Sequence, residues 1–210
     1  MLRLLTPVSQ SVFSRASRQY FSTTAKMSDA KLLIYLMRRD LRVADNPVFH
    51  SLANQKDQGF TYLLPLYVFP AQQIEVSGFI EGEGKSPYPE ARSQVGGFWR
   101  CGPRRAKFLA ESVWDVKEGL GKVGSDLCIR VGTVGEVLNR LLEEFKDPKV
   151  GAVWMIGEEG VEEKREERDA RQACENAGVE CKILVDEKYL LDEYVAPVPV
   201  DDFRTECPQP

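Results

Sequence analysis

Lys31-Leu32-Leu33-Ile34-Tyr35-Leu36-Met37, followed at once by Arg38-Arg39-Asp40-Leu41-Arg42, decides the fold. An unbroken apolar run of this length is too short for an ordinary helix. It describes a strand covered on both faces, as in parallel sheets flanked by helices. The rest of the chain repeats the theme. Asp45-Asn46-Pro47 marks a helix start, with Asp45 as the cap and proline in the first turn, and the helix runs through Val48 to about Gln55. A second strand follows at Tyr62–Val68. After it come a helix over Arg104–Lys122, a strand at Leu127–Val131, a helix at Val134–Phe145, a strand at Val150–Ile156, a helix at Glu162–Ala177 and a strand at Val179–Val185. In the longest helix, Phe108, Leu109, Val113, Val116 and Leu120 share one face. The prediction is an α/β fold: a Rossmann-like open sheet of five mostly parallel strands with helices on both faces.

In such sheets ligands sit beyond the carboxyl ends of the strands, where the strand order reverses. The candidate edges are Arg38–Asp40, Phe69-Pro70, Gly132-Thr133 and Gly157–Glu163. Residues 69–103 show neither helical nor strand period, and that is too long for an ordinary connection. They read as a functional excursion or a mobile one.

Composition narrows the class. The 210 residues are 43% hydrophobic, which excludes wholesale disorder, and no apolar run approaches a membrane span. The formal net charge of −4 and a pI near 5.3 argue against a generally basic nucleic-acid coat. That average hides an asymmetry. Residues 1–26 hold Arg3, Arg15, Arg18 and Lys26 and no acid; the remainder carries 24 of the 28 basic residues against all 32 acids, a net −8. An Arg- and Ser-rich, acid-free leader has the composition of a mitochondrial-type transit peptide, and Arg18 resembles the arginine that precedes mitochondrial processing sites. Met27 then opens the folded part and offers a start for a shorter cytoplasmic or nuclear form. The expected organisation is a leader at 1–26, one domain at 27–192 and a proline-bearing, linker-like tail at 193–210. Cysteines 101, 128, 174, 181 and 207 form no C-x-x-C pair, so neither a disulfide framework nor a metal site is indicated. Cys128 and Cys181 read as small core residues.

Two clusters carry charge in unusual density. Arg38, Arg39 and Arg42 place three guanidinium groups around Asp40 at the end of a central strand. The cluster suits phosphate or carboxylate recognition, with Asp40 holding one guanidinium fork, or else a buried brace. Glu158-Glu159 and the run Glu162–Asp169 surround the start of the fourth helix, where acids suit its positive dipole end. With Glu163–Glu167 and Glu167–Arg171 at i,i+4, most of the run reads as a solvated face. A carboxylate at this edge can also accept two N–H donors from a heterocycle. His50 reads as structural and the tryptophans as core or surface anchors. No Gly-rich phosphate loop, Walker A or nucleophile elbow is present.

Leu36-Met37-Arg38-Arg39-Asp40-Leu41-Arg42 with Asp45-Asn46-Pro47 resembles the opening signature of the photolyase/cryptochrome family, with Met37 in place of an aromatic. Arg105-Ala106-Lys107-Phe108-Leu109-Ala110-Glu111-Ser112-Val113 resembles the family's R-x-x-F-L-x-E-S helix. Ser125-Asp126-Leu127, Arg130-Val131-Gly132 and Glu136-Val137-Leu138 follow in family order. The excursion with Tyr88-Pro89 and Gly102 is most similar to the DASH cryptochrome branch. The resemblance implies the α/β antenna domain of a blue-light flavoprotein that repairs cyclobutane pyrimidine dimers in DNA. In DASH proteins this domain helps hold methenyltetrahydrofolate, which absorbs near-UV/blue light and passes excitation to FAD. Glu163 is the positional match for the glutamate that hydrogen-bonds the pterin, with Glu162 and Glu158 as alternatives. Arg38, Arg39 and Asp40 match the bracing R-R-D signature. FAD, the electron-transfer tryptophans and the DNA pocket belong to a C-terminal helical domain that the chain ends before. The expectation is therefore no catalytic residue, no FAD and no repair by this chain alone. The alternative is a truncated interaction or regulatory module without cofactor, self-associating through an exposed interdomain face.

Overall fold

The computed structural model describes residues 3–4, 30–54, 59–80, 82 and 84–186. The leader apart from Arg3–Leu4, Met27 and the tail at 193–210 lie outside the described residues.

Six strands form one parallel sheet: β1 (Arg3–Leu4), β2 (Lys31–Met37), β3 (Phe60–Pro70), β4 (Cys128–Gly132), β5 (Lys149–Ile156) and β6 (Glu180–Leu184). The helices are α1 (Pro47–Asn54), α2 (Pro103–Lys122), α3 (Val134–Glu144) and α4 (Val161–Ala177). The order across the sheet is β4-β3-β2-β5-β6, and β1 adds two residues beside the first half of β3. The five-stranded α/β fold read from the sequence is the one observed, and each of its main elements begins and ends within about two residues of expectation.

Alternation along β2 divides the core. Leu33, Tyr35 and Met37 pack with Val48 and Leu52 of α1 and Val113, Val116 and Leu120 of α2. Leu32, Ile34 and Leu36 pack on the opposite face with Val137, Leu138 and Leu141 of α3 and Ala170, Ala173 and Cys174 of α4. From β2 the chain winds outward through β3 to β4, then crosses back to β5 and continues to β6. The helices therefore change faces, and a crevice opens between the carboxyl ends of β2 and β5. That crevice positions the site.

Three local expectations are corrected. The α1 cap is Asn46, whose Oδ1 accepts from the Val48 and Phe49 amides at 3.0 and 3.2 Å; Asp45 instead takes a left-handed turn with φ 51°. Phe108 is 71% exposed and lines a cleft, whereas Val113, Val116 and Leu120 further along α2 are buried. Cys181 is only half-buried, whereas Cys128 and Cys174 are core residues. The segment between β3 and α2 folds against the body: Ala71, Ile74, Val76 and Ala91 are buried, and Phe79 stacks on Phe69 with centroids 4.3 Å apart. No described helix is long and apolar enough to cross a membrane.

Candidate functional site

Three polar residues lock the turn after β2. The Tyr35 hydroxyl, pointing from β2 into the core, donates to Asp40, and the Arg38 amide donates to the other Asp40 oxygen at 2.8 Å. Asn46 closes the network by donating from Nδ2 to the Tyr35 oxygen at 2.7 Å. Burial and the neighbouring Asp40 carboxylate push the Tyr35 phenol far up, so it stays protonated. Asp40 thus holds the backbone and a tyrosine; it does not hold an arginine fork. Its place is behind the turn, outside the cleft.

With the turn fixed, Arg38 enters the crevice and is buried. Its Nη1 donates to the Glu163 carbonyl at 3.0 Å and lies 3.6 Å from Glu166; its Nη2 donates to Glu167 at 3.0 Å. The Glu158 amide donates to the same Glu167 oxygen at 2.9 Å. The brace is the observed role of Arg38, and it corrects the solvated-face reading at Glu163 and Glu167, while Glu159, Arg165, Arg168 and Asp169 are exposed as that reading expected. Glu163 and Glu167 are buried because the first two turns of α4 face the ends of β2 and β5, and Glu158 is buried in the turn before α4. Burial raises the Glu166 carboxyl, opposed by Arg38 and Arg39.

A cleft of about 410 Å³ opens above this brace. Arg39, Glu163 and Glu166 bring charge to it; Tyr67, Phe108 and Leu109 bring aromatic and aliphatic surface. Arg39 is half-exposed and forms an ion pair with the buried Glu163 carboxylate. That carboxylate folds over Gly160, where any Cβ would collide with it. Burial holds the Tyr67 phenol protonated.

Of the residues singled out from sequence, Arg38, Arg39 and Glu163 therefore meet in one cleft. Glu162 points to a neighbouring hollow and pairs with Arg100, while Glu158 lies behind with its amide on Glu167. His50 is exposed on α1 and bonds Asn54 at 2.8 Å. Trp154 is a core residue; Trp99 and Trp114 are about half-exposed. Sequence reasoning missed Tyr67, Arg105, Phe108 and the inward turn of Glu166 and Glu167. The spacing 163, 166, 167 is that of one helix face, and paired with the arginines after β2 it was the available signal.

The sequence profile of the DNA photolyase family matches residues 33–195. The chain belongs to the DNA photolyase family. Within the family it is 51% identical over 170 residues to a putative mitochondrial cryptochrome DASH of Neurospora crassa, covering 80% of this chain and 23% of that protein. It is 32% identical over 150 residues to cryptochrome DASH of Xenopus laevis, covering 71% of this chain and 24% of that one. The chain thus spans about a quarter of the length of these curated relatives. A Synechocystis cryptochrome structure shares the fold at a TM-score of 0.63 and 22% identity, over 82% of this chain and 30% of that one.

Proposed function

We propose that this chain is the light-harvesting α/β region of a DASH-type cryptochrome/photolyase, and that its cleft takes the pterin of methenyltetrahydrofolate. The observation that carries the reading is the buried Glu163 carboxylate, held at the wall of a cleft at the β2/β5 switch point. The residues fit the group. A pterin presents paired N–H donors along one edge, which a carboxylate accepts, and an aromatic face, which Phe108 and Leu109 can cover. Glu163 and Arg39 would contact the ring, Arg38 and Asp40 would position the turn that carries them, and Glu162 and Glu158 would support from either side. When bound, the pterin supplies near-UV absorption; the residues of this chain bind it, orient it and exclude water.

The full-length relative would use FAD to repair cyclobutane pyrimidine dimers in DNA, an activity that would draw on the roughly three quarters of such relatives that this chain does not span. Mitochondrial targeting by the leader is supported by its composition and by the mitochondrial designation of the Neurospora relative. A fluorescent reporter carrying residues 1–30 would then enter mitochondria; a diffuse cytosolic signal would refute the targeting.

The 210-residue chain, incubated with methenyltetrahydrofolate and passed over a sizing column, is expected to retain the ligand's near-UV band. Glu163→Gln, which keeps the shape and removes the charge, should weaken binding by roughly tenfold, the cost of about one charge-assisted hydrogen bond. A natural chain that elutes without the band defeats the reading.

A further inference from the structure

The far end of α4 carries chemistry that the cleft does not use. Gly178 ends the helix in the left-handed conformation, φ 64°, and its amide donates to the Glu175 carbonyl at 3.1 Å. The next amide, of Val179, donates back to the Cys174 carbonyl at 2.9 Å. The chain therefore reverses within a few residues, and β6 runs back against the helix as the edge strand beside β5. Alternation along β6 sends Cys181 and Ile183 to the α4 face; Lys182 goes to the other, 4.3 Å over the Trp154 ring. Cys174, in the last turn of α4, and Cys181 thus meet in one core layer.

The two sulfurs are not equivalent. Cys174 is buried and Cys181 half-buried, so only Cys181 is open to a small solute. Their thiols face each other closely enough to share a proton. The hydrogen bond from Cys174, helped by the Arg171 guanidinium one turn earlier on α4, lowers the Cys181 thiol against its burial, Glu167 and Glu175. The same hydrogen bond, together with burial, raises Cys174. Burial also raises the Cys128 thiol, on β4 at the opposite edge of the sheet. Thiolate character and access decide which cysteine an oxidant attacks, and both favour Cys181 over its two buried counterparts.

We infer that Cys181 and Cys174 form a reversible thiol–disulfide oxidation site, with Cys181 as the nucleophile toward hydrogen peroxide and Cys174 as the resolving sulfur. The Cys181 thiolate attacks one peroxide oxygen. An S–O bond forms, the O–O bond breaks, and the departing hydroxide takes up the proton that Cys181 gave up. Cys174 then attacks the sulfenic sulfur; an S–S bond forms, the S–O bond breaks, and the oxygen leaves as water with the Cys174 proton. Two thiols are oxidised by two electrons in all, and one peroxide is reduced to two waters. A dithiol reductant reverses the bridge by exchange. The site is independent of the pterin reading, because it ties the last turn of α4 to β6 while the cleft lies at the first turns.

Trypsin releases residues 172–182 as one fragment that carries both sulfurs and no other cysteine. The reduced 210-residue chain is treated with a small excess of hydrogen peroxide, alkylated, digested and weighed. The expected product is that fragment two hydrogens lighter than its reduced form, unalkylated, and returned to the dithiol by dithiothreitol. Since the two cysteines are close in sequence, the reaction is repeated on the chain unfolded in urea. The folded chain should form the bridge at least about tenfold faster, from the lowered thiol and the fixed approach of the two sulfurs. In Cys174→Ser the Cys181 sulfenic acid should persist and be captured by dimedone. A fragment that stays doubly alkylated, or a bridge that forms equally fast in urea, overturns the site. Bridging of Cys181 to Cys101 or Cys207 instead overturns the role of Cys174 as the resolving sulfur.

Discussion

Helices α3 and α4 lie side by side on the same face of the sheet, yet they are held to it by different forces. The inward face of α3 is aliphatic, with Val134, Val137, Leu138 and Leu141 buried, and its start is closed by a capping box between Thr133 and Glu136. The second half of α4 resembles it, burying Ala170, Ala173 and Cys174. Its first two turns instead bury Glu163 and Glu167 against Arg38. Even single glutamates behave oppositely. Hydrogen bonding to Thr133 lowers the Glu136 carboxyl, whereas burial raises that of Glu166. The first two turns of α4 stand over the strand-order switch, where a parallel sheet offers a crevice in place of aliphatic surface. Apart from Val134 at the edge of the cleft, α3 is structural; α4 gives up apolar burial where the proposed ligand would sit.

Removing the cation from the α4 brace should do the most damage. Arg38→Ala leaves Glu167 buried without its main partner, and the expected loss is about 4 kcal/mol in a urea-unfolding experiment. On the α3 side the matching cut is Leu138→Ala, expected to cost about 3 kcal/mol through the cavity it leaves. A loss below about 1 kcal/mol for Arg38→Ala would mean that the brace is ornamental and that the helices do not differ.

Acid and base should then pull the two helices apart. Glu166 has its carboxyl raised in the folded state, so folding takes up protons there. Its favourable contribution is present below the ordinary carboxylate range and is lost as pH rises through the raised value. Glu136 runs the other way: its contribution is present above the ordinary range and is lost as pH falls through the lowered value. Urea midpoints measured between about pH 3 and about pH 7 should therefore change slope in opposite senses in Glu166→Gln and Glu136→Gln. The smallest effect belongs to the α3 cap alone. Thr133→Ala should cost about 1 kcal/mol and leave any ligand band untouched.

Most of the fold was legible because the central strands β2, β3 and β5 are apolar runs closed by polar or glycine-bearing turns, and no long-range contact is needed to see that. The location of the cleft also followed from topology, since two of the four candidate strand ends meet at the observed switch point. The facing of α4 was not legible in the same way. Its acids turn inward only because an arginine 125 residues earlier in sequence waits there, and a helix full of charge has no apolar stripe to declare its buried side. Phe108 misled for a related reason. It continues the apolar stripe of α2, but the stripe passes from core at Val113, Val116 and Leu120 to cleft at Phe108. The cap shifted by one residue because Asn46 serves two ends at once, bonding Tyr35 while capping α1.

The central proposal is that the first turns of α4 face a bound pterin while α3, beyond Val134 at its start, does not. Hydrogen–deuterium exchange of the 210-residue chain, with and without saturating methenyltetrahydrofolate, tests it most directly. Slowed exchange should appear at residues 38–41, 105–112 and 160–167, with residues 137–144 of α3 unchanged. Exchange that is unaltered at 160–167, or slowed equally in both helices, would contradict the account.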